Sequence, residues 1–280
     1  MSNFTIRPHV RYGMAGGHEL RLDLYLPDER AQHRPLLMII HGGAWYLGDK
    51  RDYGLNAVYA ERAAAAGMPA VSVNYRYSSM APFPAQLDDL RAALGWIGAN
   101  AERLGIDAGR IALLGASAGG HLASLLALTV GRSAGSEGAP TIRAVVSFCG
   151  PQDLTGIAYG TRAEAADSVR RLIGGPPETH AEAYRQASPL FHVHPGAPAF
   201  LFIHGELDPG VPIDQAERMH AALAAQRVPS RLIRVRNGAH DPTTSANEEP
   251  VSPGLAEIDR EIDAFLQERL GHGIRLGAIV

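Results

Sequence analysis

The stretch from Arg110 to Leu128, Arg-Ile-Ala-Leu-Leu-Gly-Ala-Ser-Ala-Gly-Gly-His-Leu-Ala-Ser-Leu-Leu-Ala-Leu, constrains the fold more than any other. Ile111 to Leu114 form a short apolar run suited to a buried parallel strand, and Gly119 to Leu128 read as a helix of small and apolar residues. Ser117 stands at the switch between them. Gly115-Ala116-Ser117-Ala118-Gly119 has the Gly-x-Ser-x-Gly form. A sharp strand-to-helix turn holds its central residue in strained backbone space, so the residues two before and two after must be small. The hydroxyl then stands above the sheet at a helix N-terminus, where backbone N–H groups stabilise developing negative charge. A phosphate loop fits less well: a dinucleotide fingerprint wants glycine at Ala116 and Ser117, and a nucleotide loop wants lysine where His121 follows Gly120.

At 280 residues the chain can bury a large core as one α/β domain, 1–280. Hydrophobic residues at 46%, charged ones at 20% and a formal charge of -3 predict a soluble globular protein with no nucleic-acid or membrane partner. The start, Met1-Ser-Asn-Phe-Thr-Ile-Arg-Pro-His9, lacks the apolar core of a signal peptide, and no later run is long enough to span a bilayer. The expected location is therefore the cytoplasm. The single cysteine, Cys149, excludes an internal disulfide and reads as a buried thiol at the end of an apolar run.

Thr5 to Tyr12 and Glu19 to Leu26 alternate as two antiparallel strands, with Leu20, Leu22, Leu24 and Leu26 sharing a face. Leu36 to Ile40 is a buried strand that ends in His41-Gly42-Gly43-Ala44-Trp45. Two glycines directly after a strand let the backbone turn its N–H groups into the space above the sheet, as an oxyanion hole requires. Asp52 to Gly67 predicts a helix, Ala70 to Tyr75 a strand, and Pro84 to Leu104 a helix with Leu87, Leu90, Leu94 and Ile97 on one face. Ile142 to Phe148 is the next strand. Residues 150–198 break the rhythm, with helices expected over Arg162–Ile173 and Ala181–Ala187 around a turn at Gly174-Gly-Pro-Pro177. An insertion there lies over the C-terminal strand ends and is expected to be a small lid. Strands over Ala199–His204 and Ser230–Val235 alternate with helices over Ile213–Gln226 and Glu257–Leu270. The small apolar tail Gly271–Val280 suits docking on this chain or on a second copy, so a homodimer is an open expectation.

A serine hydroxyl is a weak nucleophile near neutral pH and needs a base, which in turn needs a group to hold its tautomer. With Ser117 on the central strand, both partners should come from loops after later strands. Asn237-Gly238-Ala239-His240 follows the last strand, and its glycine lets His240 swing toward Ser117. Most of the 12 histidines must be bystanders: His9, His18, His33, His180, His220 and His272 read as surface residues, His204 as a strand end, and His192-x-His194 lacks the further ligands of a metal site. No metal or cofactor is expected. The acid should follow the preceding strand, where Glu206, Asp208 and Asp214 are candidates beside Asp241. Asp208 fits best: Glu206 is nearer the strand end, Asp214 begins a helix, and Asp241 adjoins His240 too closely to fold back on it.

These segments, together with His204-Gly205-Glu206-Leu207-Asp208-Pro209-Gly210-Val211-Pro212, resemble the α/β-hydrolase esterases related to hormone-sensitive lipase. The small acetyl xylan and feruloyl esterase-like branch is more similar still, since Leu24-Tyr-Leu-Pro27, Asn74-Tyr-Arg76 and Phe83-Pro-Ala-Gln-Leu-Asp-Asp89 match it as well. The resemblance runs from about Leu20 to Leu270, and it implies an α/β-hydrolase fold: a mostly parallel sheet with helices on both faces. It also implies a Ser117 nucleophile, a His240 base, an Asp208 carboxylate, and an oxyanion hole from the N–H groups of Gly42, Gly43 and Ala118. Trp45 and Tyr46 are expected to line the substrate pocket. The expected activity is cofactor-free hydrolysis of a small-molecule ester, short-chain acyl or aryl, through an acyl-enzyme. An arylformamidase-like amide hydrolase also fits the His-Gly-Gly-x-Trp loop, and a ligand receptor on the same scaffold is a rival from another class.

Overall fold

The structure, a computed structural model, describes residues 3–29, 32–52, 55–130, 139–160 and 162–271. β1 (Phe4–Ala15) and β2 (His18–Pro27) form an antiparallel hairpin that turns through Gly16 and Gly17. β3 (Arg34–Ile40), β4 (Ala70–Val73), β5 (Ile106–Ala116), β6 (Ile142–Phe148), β7 (Ala199–Gly205) and β8 (Ser230–Val235) complete one sheet in the order β1-β2-β4-β3-β5-β6-β7-β8. β2 meets β4 antiparallel, and every later pair is parallel.

A parallel sheet needs cover on both faces, and the alternation of its side chains shows which helix covers which face. Leu36, Met38, Ile40, Leu113, Val145, Phe200 and Phe202 join one core cluster with α2 (Ala85–Leu104), α3 (Ala118–Thr129) and α7 (Asp214–Ala225). Leu37, Ile39, Ala112, Leu114, Val146, Leu201 and Ile203 face the other way, against α1 (Leu55–Ala65) and α8 (Leu255–Leu270). Fully burying one such side chain contributes about 1.5–3 kcal/mol, so a one-residue slip in any central strand would forfeit both cores at once.

The connection from β6 to β7 carries α4 (Leu154–Gly160), α5 (Ala163–Ile173), α6 (Pro177–Gln186) and a 3₁₀ turn at Pro189–His192. Two details differ from expectation. α4 is an additional helix, and α6 begins at Pro177 rather than at Ala181, because a proline that reads as a turn residue also serves at the first helical position. The helix then kinks at His180. The apolar tail, apart from Gly271, lies outside the described residues. Among the described residues no helix is long and apolar enough to cross a membrane.

The chain steps from β3 outward to β4, then returns across β3 to β5 and continues outward on the opposite side. A crevice opens where such a reversal occurs, at the carboxyl ends of the strands. The loops after β3, β5, β7 and β8 all leave from that edge.

Candidate active site

Ser117 links β5 to α3 with φ 53° and ψ -120°, a left-handed conformation that costs a non-glycine residue on the order of 1–3 kcal/mol. The turn is held by Ser117 N–H donating to Phe148 O at 2.8 Å and by His121 N–H donating to Ser117 O at 3.0 Å. Its tightness explains the flanking glycines: a Cβ on Gly119 would lie 2.0 Å from Ile40 O, and one on Gly115 would lie 2.4 Å from the backbone of Gly119.

Two loops bring the partners. Gly205 passes so close to the loop after β8 that a Cβ there would meet Ala239 O at 2.2 Å, and Leu207 N–H donates to Gly238 O at 3.0 Å. This contact sets Asp208 and His240 side by side. His240 Nδ1 lies 2.7 Å from Asp208 Oδ2 and His240 Nε2 lies 2.9 Å from Ser117 Oγ. The Asp208 carboxylate is fully buried, whereas the His240 side chain keeps 40% of its surface open. Its other oxygen, Asp208 Oδ1, accepts from Gly210 N–H at 2.8 Å and Val211 N–H at 2.9 Å. Burial alone would raise the pKa of this carboxyl. Hydrogen bonds from the His204 and His240 imidazoles and from Val211 N–H outweigh it and hold the group well below the usual carboxylate range.

The other acidic candidates are placed elsewhere. Glu206 is exposed, Asp214 opens α7, and Asp241 Oδ1 accepts from Thr243 N–H and Thr243 Oγ1 within its own turn.

The loop after β3 lies against the serine. An added Cβ on Gly42 would sit 3.7 Å from Ser117 Cβ and 2.9 Å from Ala116 O, so the two backbones nearly touch. Gly43 takes φ 106° where a side chain would collide with Leu47 O at 2.1 Å, and Gly43 O accepts from Tyr46 and Leu47 N–H. The N–H groups of Gly42, Gly43 and Ala118 have no acceptor among the described residues. Behind the loop, the buried His41 ring stacks on Tyr75 with centroids 4.3 Å apart, and Tyr75 Oη donates to His41 O. Asn74 takes the Lys50 N–H and gives its amide to Asp49, while Arg76 makes a forked bond to Asp89 of α2. Asn74 and Tyr75 thus brace this loop, while the Arg76–Asp89 pair ties the chain after β4 to α2.

A cleft of about 230 Å³ opens over Ser117 and His240. Ala44, Trp45 and Tyr46 form one wall, Val211 another, and Pro151, Ile157, Ala165 and Val169 close it from the β6–β7 connection. Trp45 is a wall with little open surface: it is 4% exposed, and its indole N–H donates to His121 Nδ1 at 3.1 Å.

Two histidines that sequence reasoning passed over belong to this region. His121 is fully buried on α3, and its clue is its place four residues after Ser117, one helical turn along. His204, read as a strand end, donates from Nε2 to Val211 O at 2.8 Å and stands 3.5 Å from Asp208 Oδ2. Cys149, His204 and Asp208 could each turn a ligand atom toward one point, all within 4.8 Å. Those atoms are otherwise engaged: the carboxylate holds His240, the His204 nitrogen holds a carbonyl, and burial pushes the Cys149 thiol up and away from thiolate.

The BD-FAE family model matches residues 22–223, most of the chain. The chain belongs to the BD-FAE family. Among curated relatives of this BD-FAE protein, "Esterase LipC" of Mycobacterium tuberculosis is 34% identical over 71% of the chain and 51% of its own length. The chain spans about half the length of the curated relatives it first matches. Among solved structures, a "Truncated form of carbohydrate esterase from gut microbiota" is similar at TM-score 0.74 and 27% identity, over 86% of this chain and 91% of that one. A "Bifunctional GH43-CE" of Bacteroides eggerthii is similar at TM-score 0.80 and 29% identity, over 97% of this chain and 39% of that one. The fold of this BD-FAE member is the α/β-hydrolase fold, as the sequence predicts.

Proposed function

We propose that the protein is a serine carboxylesterase acting on short-chain acyl or aryl esters through an acyl-enzyme, with Ser117, His240 and Asp208 as its triad. The observation that carries this reading is the single imidazole of His240, within hydrogen-bond distance of a strained serine on one side and a buried carboxylate on the other. Ser117 Oγ attacks the ester carbonyl as His240 Nε2 takes its proton, and Asp208 holds Nδ1–H and faces the imidazolium that forms. The backbone N–H groups of Gly42, Gly43 and Ala118 receive the oxyanion beside Ser117. His240 then returns the proton to the departing alcohol, and water repeats the sequence on the acyl-enzyme.

A cleft of about 230 Å³ with mostly apolar walls suits a small acyl or aryl group. The esterase names of the relatives point the same way. A cytoplasmic placement goes with this proposal and is checked by cell fractionation. The test of the chemistry is a ladder of 4-nitrophenyl esters from acetate upward, with N-formylkynurenine as an amide arm and a fluorophosphonate as a label for Ser117. Rapid turnover of short esters and loss of labelling in Ser117→Ala are expected; a Ser117→Ala protein turning over at the parent rate overturns the proposal.

A further inference from the structure

We infer that His121 is a positioning residue: by accepting the Trp45 indole N–H, it fixes the loop that supplies the oxyanion donors in register with the nucleophile. The inference rests on the esterase reading above and adds a residue to it. Ala44 and Trp45 both adopt left-handed backbone, φ 49° and 63°. For a residue as bulky as tryptophan that conformation is a genuine outlier, and it persists only where surrounding contacts over-determine it.

The contacts at Trp45 are specific. Its ring meets the His121 ring edge-on, with centroids 5.2 Å apart at 88°, its N–H donates to His121 Nδ1, and its carbonyl accepts from Ser78 N–H at 2.8 Å. His121 cannot shift freely either. Its backbone N–H holds Ser117 O, and its Nε2 lies 2.7 Å from Ala187 O, at the end of α6. The protonation pattern is dictated by the partners. An indole N–H only donates and a carbonyl only accepts, so His121 must be neutral, with its proton on Nε2 and its lone pair on Nδ1. Burial favours that same form, holding the imidazole down at about 4. One residue thereby connects the oxyanion loop and the β6–β7 connection through its ring and the nucleophile turn through its backbone. Since a displacement on the order of 1 Å in a catalytic constellation costs up to about 10²-fold in rate, the bond is expected to act on kcat.

The test compares Trp45→Phe, which keeps an aromatic wall and removes the N–H, with His121→Leu, which removes acceptor and donor, and with His121→Asn, whose Oδ1 can stand near the Nδ1 position. Steady-state kinetics on 4-nitrophenyl acetate are expected to show kcat falling about tenfold or more in the first two, with KM within about threefold and the far-ultraviolet circular dichroism unchanged. The double variant should be no slower than the slower single variant, and His121→Asn should recover most of kcat. Parent kcat in Trp45→Phe, a change confined to KM, or a double variant whose loss is the product of the single losses overturns the inference. If His121→Leu fails to fold, Trp45→Phe against His121→Asn decides by the same criteria. Failure of the underlying esterase reading shows separately, as a parent protein that Ser117-directed fluorophosphonate does not label.

Discussion

His240 and His121 both bond to Ser117, one through its ring and the other through its backbone N–H, yet their rings meet opposite kinds of partner. His240 has a carboxylate behind it and a hydroxyl in front, and part of its surface is open to solvent. His121 has a carbonyl behind it and an indole N–H in front, and is fully buried. A carboxylate can face a positive ring; a neutral carbonyl in a dry interior offsets little of the cost of that charge. What stands behind an imidazole therefore decides whether it can shuttle a proton or only hold a position.

The largest effects should come from breaking the first arrangement. Replacing Ser117 or His240 by alanine is expected to lower kcat by about 10⁶-fold with the fold retained, read as residual 4-nitrophenyl acetate hydrolysis. Asp208→Asn removes the facing charge and lets the ring adopt the wrong tautomer, for an expected loss of about 10⁴-fold. A loss under tenfold would mean that the carboxylate is not what equips His240 for its task.

Stability against pH sharpens the contrast. The His121 imidazole is held at about 4 in the fold, against an ordinary 6.5 in the unfolded chain, so the unfolded chain binds the extra proton between those values. Stability from this group is complete above pH about 6.5 and declines as pH falls toward about 4, by about 3 kcal/mol in all. Asp208 is depressed too, but from the ordinary carboxylate value, so its share is lost only as pH falls below that value. Urea unfolding of the parent and of His121→Leu from pH 7 to 4 should give curves that converge as pH falls. Parallel curves across that window would show that the buried ring carries no such penalty.

The sequence showed the strands and the elbow plainly because their determinants are local. Alternating or continuous apolar runs and small residues around Ser117 leave few other folds open, and Ser230–Val235 and Ile142–Phe148 fall where the pattern puts them. The β6–β7 connection was less legible. Leu-Thr-Gly-Ile-Ala-Tyr-Gly offers α4 no clear period; Asp153 Oδ1 caps its start by accepting Thr155 N–H, and packing on α5 and α6 completes the helix. His121 was illegible for another reason. In an Ala- and Leu-rich helix a histidine reads as an exception, and only the arrival of Trp45 from a loop 76 residues away gives it a role.

The smallest expected effect tests nearness in sequence against nearness in space. Asp241 is bonded to His240 through the chain, and a carboxylate one residue from a base would be the simplest source of its charge partner. Its Oδ1 instead holds Thr243 N–H and Oγ1, while the His240 ring turns to a carboxylate 32 positions earlier. Asp241→Asn keeps an acceptor for Thr243 and removes a charge whose field at the ring is screened by solvent, since Asp241 is exposed. Its kcat on 4-nitrophenyl acetate should stay within about twofold of the parent, which corresponds to about 0.4 kcal/mol. A loss rivalling that of Asp208→Asn would transfer the orienting role to the neighbour and dissolve the difference between the two histidines, because His240 would then need no buried partner to carry its charge.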